Sequence, residues 1–250
     1  MNAAVRVEAM KLVRSPVGTI GTLALVLGTL ALLGGITAAL AAGNRELTAK
    51  AGVAATLDWA GLLASAAQVT AAGGLLGFGV VLAWIVGREF TDGTITGLFA
   101  LPVSRSRIAL AKLTVYAAWA VAVSVTLALG ILLLGLLIGY GPPLPEVWAA
   151  LGRQAVLGML TAAVAAPVAW IATLTRSLLA AVGAAIALVV IAQVGVLAGA
   201  GGWMPLAAPA LWVISDGAAV TPLQLALTLA LAAAFAALTC ASWARLQLNR

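Results

Sequence analysis

The residues best suited to chemistry in this chain form one polar segment between two long apolar runs, at positions 87–105. Its sequence is Gly-Arg-Glu-Phe-Thr-Asp-Gly-Thr-Ile-Thr-Gly-Leu-Phe-Ala-Leu-Pro-Val-Ser-Arg. The carboxylates and guanidinium groups can pair with opposite charges, and Phe90, Ile95, Leu98 and Phe99 are available for packing. A turn anchored by arginines would explain the basic residues but not the apolar ones. Apolar side chains rimmed by charge predict a docking surface.

Catalysis and metal binding have few candidate residues. The chain contains no histidine, which excludes imidazole bases and imidazole metal ligands. Its single cysteine, Cys240, lies in the last apolar run and can form no internal disulfide. The sequence has neither a carboxylate pair within an apolar run nor a cluster of metal ligands. We therefore predict no catalytic residue, no metal site and no cofactor bound by this chain.

The composition requires a membrane as the solvent. Hydrophobic residues make up 64% of the chain and charged residues 8%, with a mean hydropathy of +1.18. So few charges cannot cover a water-soluble domain of 250 residues. Six apolar runs are long enough to cross a bilayer, at 17–42, 59–86, 113–139, 148–174, 178–200 and 223–243. The sequence predicts an all-α membrane protein in which residues 1–250 form a single transmembrane domain of six helices.

The basic residues predict the orientation of the spans. Of the 13 lysines and arginines, ten fall at the two termini, between spans two and three, or between spans four and five. The other three, Arg45, Lys50 and Arg153, fall on the opposite side. By the positive-inside rule, both termini face the cytoplasm. Because the cations are scattered at helix ends, the net charge of +6 indicates membrane flanks and no nucleic-acid partner.

The N-terminal residues 2–15 have two interpretations. Basic and apolar side chains alternate up to Ser15-Pro16, which predicts an interfacial helix along the inner leaflet. A polar tail before span one is the alternative. A secretory signal has an apolar core of about 7–15 residues, shorter than this first run, so we expect span one to remain uncleaved.

Several residues of the polar segment predict its local structure. Four of them are expected to interrupt the helix before span three: Gly87, Gly93, Gly97 and Pro102. Residues 88–99 are predicted to form a short helix, with Glu89 and Asp92 in its first turn, where carboxylates complement the helix dipole. Ser104 or Ser106 is expected to cap the next helix. Three basic residues are expected to anchor it at the inner headgroups: Arg105, Arg107 and Lys112.

Some polar side chains fall at membrane depth. For Gln68 and Gln193, an interhelical hydrogen bond worth about 0.6–2 kcal/mol is the default explanation, and a place in a cargo pathway is the alternative. Arg153 either extends outward to the headgroups, which we favour, or pairs with Glu146. Pro167 is predicted to kink span four.

Residues 201–222 are too apolar for an ordinary outer loop. Pro205, Pro209 and Gly217 prevent one continuous helix, and Trp203 and Trp212 suit the membrane interface. We predict a pair of short re-entrant or interfacial helices. A hydrophobic loop resting on the headgroups is the alternative.

The polar segment resembles a family signature. The similar residues are Gly87-Arg88-Glu89-Phe90, Asp92-Gly93-Thr94, Leu98, Leu101-Pro102-Val103-Ser104-Arg105 and Lys112. They resemble the signature of the ABC-2 permeases, the membrane subunits of a class of ATP-binding-cassette transporters. The N-terminal helix, the six spans and the chain length fit the same family, so the resemblance covers the whole chain. In that family the segment forms a coupling helix that docks on a separate ATPase.

The resemblance implies roles for particular residues. The ATPase-coupling residues would be Arg88, Glu89, Phe90, Asp92, Gly93, Thr94 and Phe99. Phe90, Ile95 and Phe99 would pack in a groove of the ATPase, and Glu89 and Asp92 would pair with its basic residues. The chain has no G-x-x-x-x-G-K-[ST] loop, so ATP and Mg²⁺ would bind to the partner ATPase.

The resemblance also implies an assembly. Two permease copies would face each other in the lipid, as a homodimer, and cargo would be exported along their shared interface. The alanine-rich composition is typical of a GC-rich bacterial genome, so we expect a multi-pass protein of the bacterial cytoplasmic membrane. The signature does not define the cargo, because family members export drugs, lipids, polysaccharides, peptides or ions.

Two other functions are alternatives for a protein with six spans. A secondary, ion-coupled transporter needs titratable groups near the midplane, but the carboxylates of this chain lie at the ends of its spans. A non-transporting membrane scaffold subunit would have a similar sequence. Binding of an ATPase to residues 87–105 would distinguish an ABC permease from both.

Overall fold

The computed structural model describes residues 2–44, 46, 55–99 and 102–247, and regular structure in these residues is helical throughout. A short N-terminal helix, α1 (Asn2–Val13), precedes six helices that are long and apolar enough to cross a membrane. These six are α2 (Pro16–Ala41), α3 (Trp59–Thr91), α5 (Arg105–Ile138), α6 (Pro145–Thr175), α7 (Leu178–Leu197) and α9 (Pro222–Ala244). Two short helices are α4 (Ile95–Phe99) and α8 (Ala208–Ile214). The predicted all-α membrane fold with six spans is confirmed.

Local sequence signals explain where several spans begin. At the start of α2, the Ser15 hydroxyl accepts a hydrogen bond from the Gly18 N–H at 2.8 Å. At the start of α3, Asp58 Oδ1 accepts one from the Gly61 N–H at 2.9 Å. A capping box of two side chains begins α9. These bonds satisfy backbone N–H groups that have no partner within the helix.

The centre of the bundle consists of α3 and α6, and α2, α7 and α9 lie at its periphery. Within the bundle, α6 contacts α3, α5, α7 and α9. Its two halves, Pro145–Val164 and Ala166–Thr175, meet at Ala165, so the helix is interrupted close to Pro167, as the sequence predicts. Small residues bring helices close together. A Cβ added to Gly79 of α3 would lie only 2.7 Å from the Cβ of Ala185 in α7.

The two ends of the bundle carry different elements. The end that we call the α1 end carries α1, residues 92–99 and 102–104, and the C-terminal residues 245–247. Here α1 packs against α5 and α2, with Leu12 buried and Val13 exposed. The opposite end carries the start of α3, residues 139–144 and α8. Helix α8 and the 3₁₀ turn Gly201–Trp203 form the segment before α9, and α8 packs against α3, α6 and α9.

The polar segment differs from its predicted local structure. Gly87 does not interrupt the helix, because α3 continues to Thr91. The break comes at Gly93, whose φ of +67° is left-handed, and the separate helix is confined to α4. Ser104 precedes α5, but its side chain makes no capping bond. Four residues used in the predictions lie outside the described residues: Arg45, Lys50, Leu101 and Arg250.

Candidate functional site

Two lysines and two glutamates from three helices meet at the α1 end. Lys112 of α5 donates from Nζ to Glu89 Oε1 of α3 and to Glu8 Oε2 of α1, each over 2.8 Å. Lys11 of α1 donates to Glu89 Oε1 and to Glu8 Oε1, also over 2.8 Å. The Lys112 ammonium group donates a further bond to the carbonyl of Ile85 over 3.1 Å. We call the four charged residues the ion cluster.

The ion cluster is buried and electrically balanced. Lys112 is 0% exposed, Glu89 1% and Glu8 6%. The Lys11 side chain is 26% exposed. Two positive and two negative charges offset one another, which the three buried charges require because they have lost most of their water. Burial opposes the charged form of Lys11, but hydrogen bonds to Glu8 and Glu89 and their negative charges outweigh it and raise the pKa of Lys11 above 10.5.

The chain that follows α3 is tied to the ion cluster. The hydroxyl of Thr94 donates a hydrogen bond to Glu89 Oε2. The left-handed backbone at Gly93 turns the chain so that Ile95, 8% exposed, enters the main apolar core. Leu98 packs against the same core. Residues 92–99 are therefore held against the end of the bundle by one polar bond and by apolar contacts.

The outward side of this segment is polar. Its exposed residues are Asp92, Gly93, Thr94, Thr96 and Gly97. The side chain of Asp92 is 51% exposed, and its Oδ2 lies 3.7 Å from Nε of Arg88, one turn earlier on α3. The Arg88 guanidinium also lies 4.5 Å above the ring of Trp84, a cation–π contact. Charge and backbone are therefore exposed on this side of the segment.

The end of α9 packs behind the segment. The ring centroids of Phe90 and Trp243 are 5.9 Å apart. Trp243 is 0% exposed, and its Nε1 donates to the hydroxyl of Thr173 in α6 over 3.0 Å. The guanidinium of Arg105 donates to the carbonyl of Leu246 just beyond α9. The polar segment is therefore in direct contact with the C-terminal end of α9 and the residues after it.

A family model described as an ABC-2 family transporter protein matches residues 4–193. The chain belongs to the ABC-2 transporter family. No curated protein matches it. The matched region includes the whole ion cluster and the polar segment, and the predicted membership of the ABC-2 family is confirmed. ABC-2 permeases are the membrane subunits of ABC transporters, which work with separate ABC ATPase subunits.

The structure divides the predicted coupling residues of this ABC-2 permease into two groups. Asp92, Gly93 and Thr94 are exposed. Glu89 and Phe90 face the bundle instead, because the unbroken helix through Gly87 turns them toward α5 and α9. Glu89 and Ile95 were expected to contact an ATPase, but both side chains are buried within the permease. Glu89 is already bonded to the two lysines of the ion cluster. Arg88 is partly buried, and Phe99 lies in α4 with its side chain outside the described part of the structure.

The polar residues at membrane depth also differ from expectation. Gln68 and Gln193 are exposed on the helix surfaces, and neither bonds to any described residue. Arg153 is paired with Asp216 and not with Glu146, because its Nη2 lies 2.5 Å from Oδ1 of Asp216, whose side chain is 80% exposed. Its extension outward to the headgroups stays a prediction. The buried amide that does join two spans is Gln154, which donates from Nε2 of α6 to the Thr70 hydroxyl of α3 over 2.8 Å.

Most of the ion cluster is not predicted by the sequence. Glu8 carries no signal of a role, and Lys112, which the sequence places at the headgroups, is buried. One signal was present in the sequence, namely a lysine between apolar residues 108–111 and 113 in a chain with few charges. Such a lysine needs a carboxylate partner when buried. The spacing along the chain could not identify that partner, because Glu8 and Glu89 belong to other helices.

Proposed function

We propose that this chain is the permease subunit of an ATP-driven exporter in the bacterial cytoplasmic membrane. Both termini and residues 92–104 face the cytoplasm in this proposal, as the positive-inside rule predicts. A separate ABC ATPase binds ATP and Mg²⁺ and docks on the exposed side of residues 92–97. Two copies of the permease line the cargo pathway at their shared interface.

The ion cluster is the observation that carries this proposal. It joins α1, α3 and α5 through buried charges, and Thr94 joins the polar segment to the same carboxylate of Glu89. Pulling one of these elements away would leave a buried charge without its partner, which costs about 3–5 kcal/mol. A push on the segment is thus transmitted to two spans and α1 as one body. Rigid-body movement of this kind is how transporters switch between two states.

The docking surface follows from which groups remain free. Asp92 can receive a cation from the ATPase, since its contact with Arg88 is long and its side chain is half exposed. Apart from its chain neighbours and its own helix backbone, no atom of the described residues lies within 4 Å of the position that a Cβ would take at Gly97, so a partner can approach the backbone there. Thr96 is exposed between these two residues, and its hydroxyl, which donates to the Gly93 carbonyl over 3.2 Å, can still accept a hydrogen bond.

The two exposed glutamines support a dimer. Gln68 lies on α3 and Gln193 on α7, and these two helices contact each other within one copy. An amide that faces lipid has no hydrogen-bond partner, which is unfavourable at membrane depth. A second copy packed against either helix would supply a partner for the amide on that helix.

The experiment is co-purification of the permease in detergent with the ABC ATPase encoded beside its gene. Wild type is compared with Asp92→Lys, which reverses the charge on the proposed docking surface. Glu46→Lys is the matched control, because Glu46 is an exposed acidic residue beyond the other end of α2. We expect the ATPase to accompany wild type and Glu46→Lys, and to be reduced at least tenfold with Asp92→Lys.

The proposal fails if no ATPase accompanies the wild-type permease. The docking surface alone is wrong if Asp92→Lys retains as much ATPase as Glu46→Lys. A secondary transporter or a scaffold would then explain the six spans better.

A further inference from the structure

An open groove of about 500 Å³ lies at the α1 end, between α1, the start of α2 and the end of α3. Among the described residues that line it, three are basic and none is acidic. The basic residues are Lys11 of α1, Arg14 just after α1, and Arg88 of α3. We call this feature the basic groove. Its volume is within the range of small-molecule sites, about 300–1,000 Å³.

The guanidinium of Arg88 is fixed in place and still free to donate. It lies 4.5 Å above the ring of Trp84, which also lines the basic groove. Its Nε lies 3.7 Å from Oδ2 of Asp92, which is longer than a hydrogen bond. That Nε has almost no accessible surface. The two terminal nitrogens are therefore the donors that this side chain, 25% exposed, can offer to a ligand.

Arg14 and Lys11 bring two further cations to the groove. Arg14 is exposed, and its side chain makes no ion pair with any described residue. Lys11 donates to Glu8 and to Glu89, so its ammonium group retains one N–H. Those two carboxylates already offset the charge of Lys11 within the ion cluster. The excess positive charge of the basic groove therefore comes mainly from its two arginines.

The exposed side of α1 beside the basic groove carries apolar residues. Val7 and Met10 are exposed and line the groove, and Val13, immediately before Arg14, is 77% exposed. Exposed apolar side chains among basic ones are unfavourable in water and typical of a helix that lies in the membrane interface. The basic groove is therefore at the level of the lipid headgroups.

An apolar strip leads from the basic groove along α2. Pro16, at the start of that helix, lines the groove. Ile20 and Leu23 lie about one and two turns further on the same face, and both are exposed. Because α2 is a peripheral span, this strip faces the acyl chains of the bilayer. A ligand with an anionic head in the groove can extend an apolar chain along it.

We infer that the basic groove binds the phosphate group of an anionic phospholipid in the leaflet at the α1 end. Arginine side chains suit phosphate because their planar forks donate to several of its oxygens, and basic pockets between membrane helices bind such headgroups. Arg14 and Arg88 donate to the phosphate, Lys11 adds its remaining N–H, and an acyl chain lies along α2.

The bound lipid would also hold α1 in position. Lys11 lines the basic groove and belongs to the ion cluster, and Arg88 lies one residue before Glu89 of that cluster. A phosphate that contacts residues on both sides of the groove therefore joins α1 to α3 from the membrane side. The inference goes beyond the proposed function and rests on it only for naming the leaflet as cytoplasmic. Binding requires no ATPase.

The test compares two lipids with the same acyl chains. Dioleoyl phosphatidylglycerol carries a net negative charge, and dioleoyl phosphatidylcholine has a phosphate but no net charge. Each is titrated into delipidated permease in dodecyl maltoside, and bound lipids are counted by native mass spectrometry. We expect one phosphatidylglycerol per chain to bind about tenfold tighter than the first phosphatidylcholine, since each nearby basic residue favours an anionic lipid by about fivefold.

Variants of single arginines locate the site. Arg14→Gln and Arg88→Gln each remove one charge from the basic groove and are expected to weaken binding of phosphatidylglycerol about fivefold. Arg14→Lys keeps the charge and should retain most of the affinity. Arg6→Gln is the matched control, because Arg6 is an exposed arginine on α1 that does not line the groove. It should bind as wild type. Gel filtration confirms that each variant remains folded.

Three outcomes of the lipid titration overturn the inference. The first is equal affinity for the two lipids. The second is an equal effect of Arg6→Gln and Arg14→Gln, because the lipid would then be attracted by surface charge in general. The third is displacement of phosphatidylglycerol by inorganic phosphate at the same concentration, which would assign the groove to a soluble phosphate. We expect no displacement, since the acyl chain contributes to binding.

The ATPase co-purification distinguishes this inference from the proposed function. Arg14→Gln that binds lipid as wild type but loses the ATPase would make the basic groove a protein contact and overturn the inference. Wild-type permease that binds phosphatidylglycerol without any associated ATPase would remove the ABC proposal and leave the lipid site standing.

Discussion

The ammonium of Lys112 donates to Glu89 over 2.8 Å at a place where both side chains are almost completely buried. The two residues lie on consecutive spans, at the point where the polar segment connects them. If this buried lysine and glutamate moved apart, each charge would be left in apolar surroundings without its partner. The pair therefore fixes the distance between the ends of α3 and α5 more firmly than apolar packing alone would.

Replacing Lys112 by methionine is expected to destabilise the permease strongly. Lys112→Met retains much of the side-chain volume but leaves Glu8 and Glu89 with Lys11 as their only cation in the cluster. Loss of one partner from a buried ion pair costs about 3–5 kcal/mol in the free energy of unfolding. Tryptophan fluorescence during unfolding in mixed micelles measures this change.

The matched control for this experiment is Arg107→Met. Arg107 is an exposed basic residue on the same helix, five residues earlier. Its substitution is expected to change the free energy of unfolding by less than about 0.5 kcal/mol. Equal effects of the two substitutions would contradict a structural role for the ion cluster.

The same pair shows how far the sequence predicts the structure. Apolar runs identify the six spans, because length and hydropathy alone decide whether a helix can cross a bilayer. They place the apolar part of span three at residues 113–139, and the cap expected at Ser104 or Ser106 agrees with the start of its helix, α5, at Arg105. The eight residues between include Lys112, which is neutralised by Glu89. A carboxylate on another helix lowers the free-energy cost of burying the lysine. The pattern of residues along the chain does not show which carboxylate will lie next to it.

The polar segment gives a second instance. Its composition predicted a contact surface with Glu89 and Phe90 exposed, yet both face the bundle. Glycine lowers helix stability by about 1 kcal/mol, which the packing of Gly87 against Leu178 offsets. The helix therefore continues past Gly87 to Thr91. Its helical geometry then decides which way Glu89 and Phe90 point, and both side chains face the bundle. Gly93 was correctly expected to break the helix, because its left-handed backbone is one that glycine adopts readily.

Trp243 is expected to be a main attachment of α9 to the bundle. It is fully buried, contacts Phe90 of α3 and donates to Thr173 of α6. Trp243→Ala should lower the free energy of unfolding by about 3–5 kcal/mol, because it leaves a large cavity and removes the hydrogen bond to the Thr173 hydroxyl. Trp148→Ala is the control, since that ring is 54% exposed. The prediction is contradicted if the two variants unfold at the same denaturant concentration.

Asp58 is expected to make the stability of α3 depend on pH. Asp58→Ala removes the cap at the start of the helix and should cost about 1 kcal/mol at neutral pH. The Gly61 N–H and the Thr56 hydroxyl lower the pKa of Asp58 below 3.8. A lowered pKa gives a stabilisation that is complete above the unfolded value and is lost as the pH falls through the folded value. The difference between wild type and Asp58→Ala should thus shrink below about pH 3.8.

The control for this pH dependence is Asp58→Asn. Asparagine caps helices about as well as aspartate but does not titrate, so Asp58→Asn should keep most of the stability without its pH dependence. Unfolding curves recorded at neutral pH and below pH 3.8 compare the three proteins. A wild-type advantage over Asp58→Ala that persists unchanged in acid would show that the carboxylate charge is not involved.

A substitution at Thr94 distinguishes binding of the ATPase from transmission of the ATPase's movement to the permease. The Thr94 hydroxyl donates to Glu89, the carboxylate that also binds both lysines of the ion cluster. Thr94→Val preserves the shape of the side chain and removes this bond, so the polar segment loses its polar link to α3 while Asp92 and Gly97 remain exposed. Under the proposed function, the ATPase should still co-purify with Thr94→Val, but stimulation of its hydrolysis by the permease should fall severalfold.

Thr114→Val provides the comparison for Thr94→Val. The Thr114 hydroxyl bonds only to the Leu110 carbonyl of its own helix, over 2.8 Å, and the side chain is exposed. Its loss should change neither ATPase binding nor hydrolysis. If Thr94→Val also leaves the stimulated rate unchanged, the hydrogen bond to Glu89 transmits no movement, and the apolar anchors Ile95 and Leu98 must do so. If Thr94→Val instead loses the ATPase, the hydroxyl contributes to docking and not to coupling.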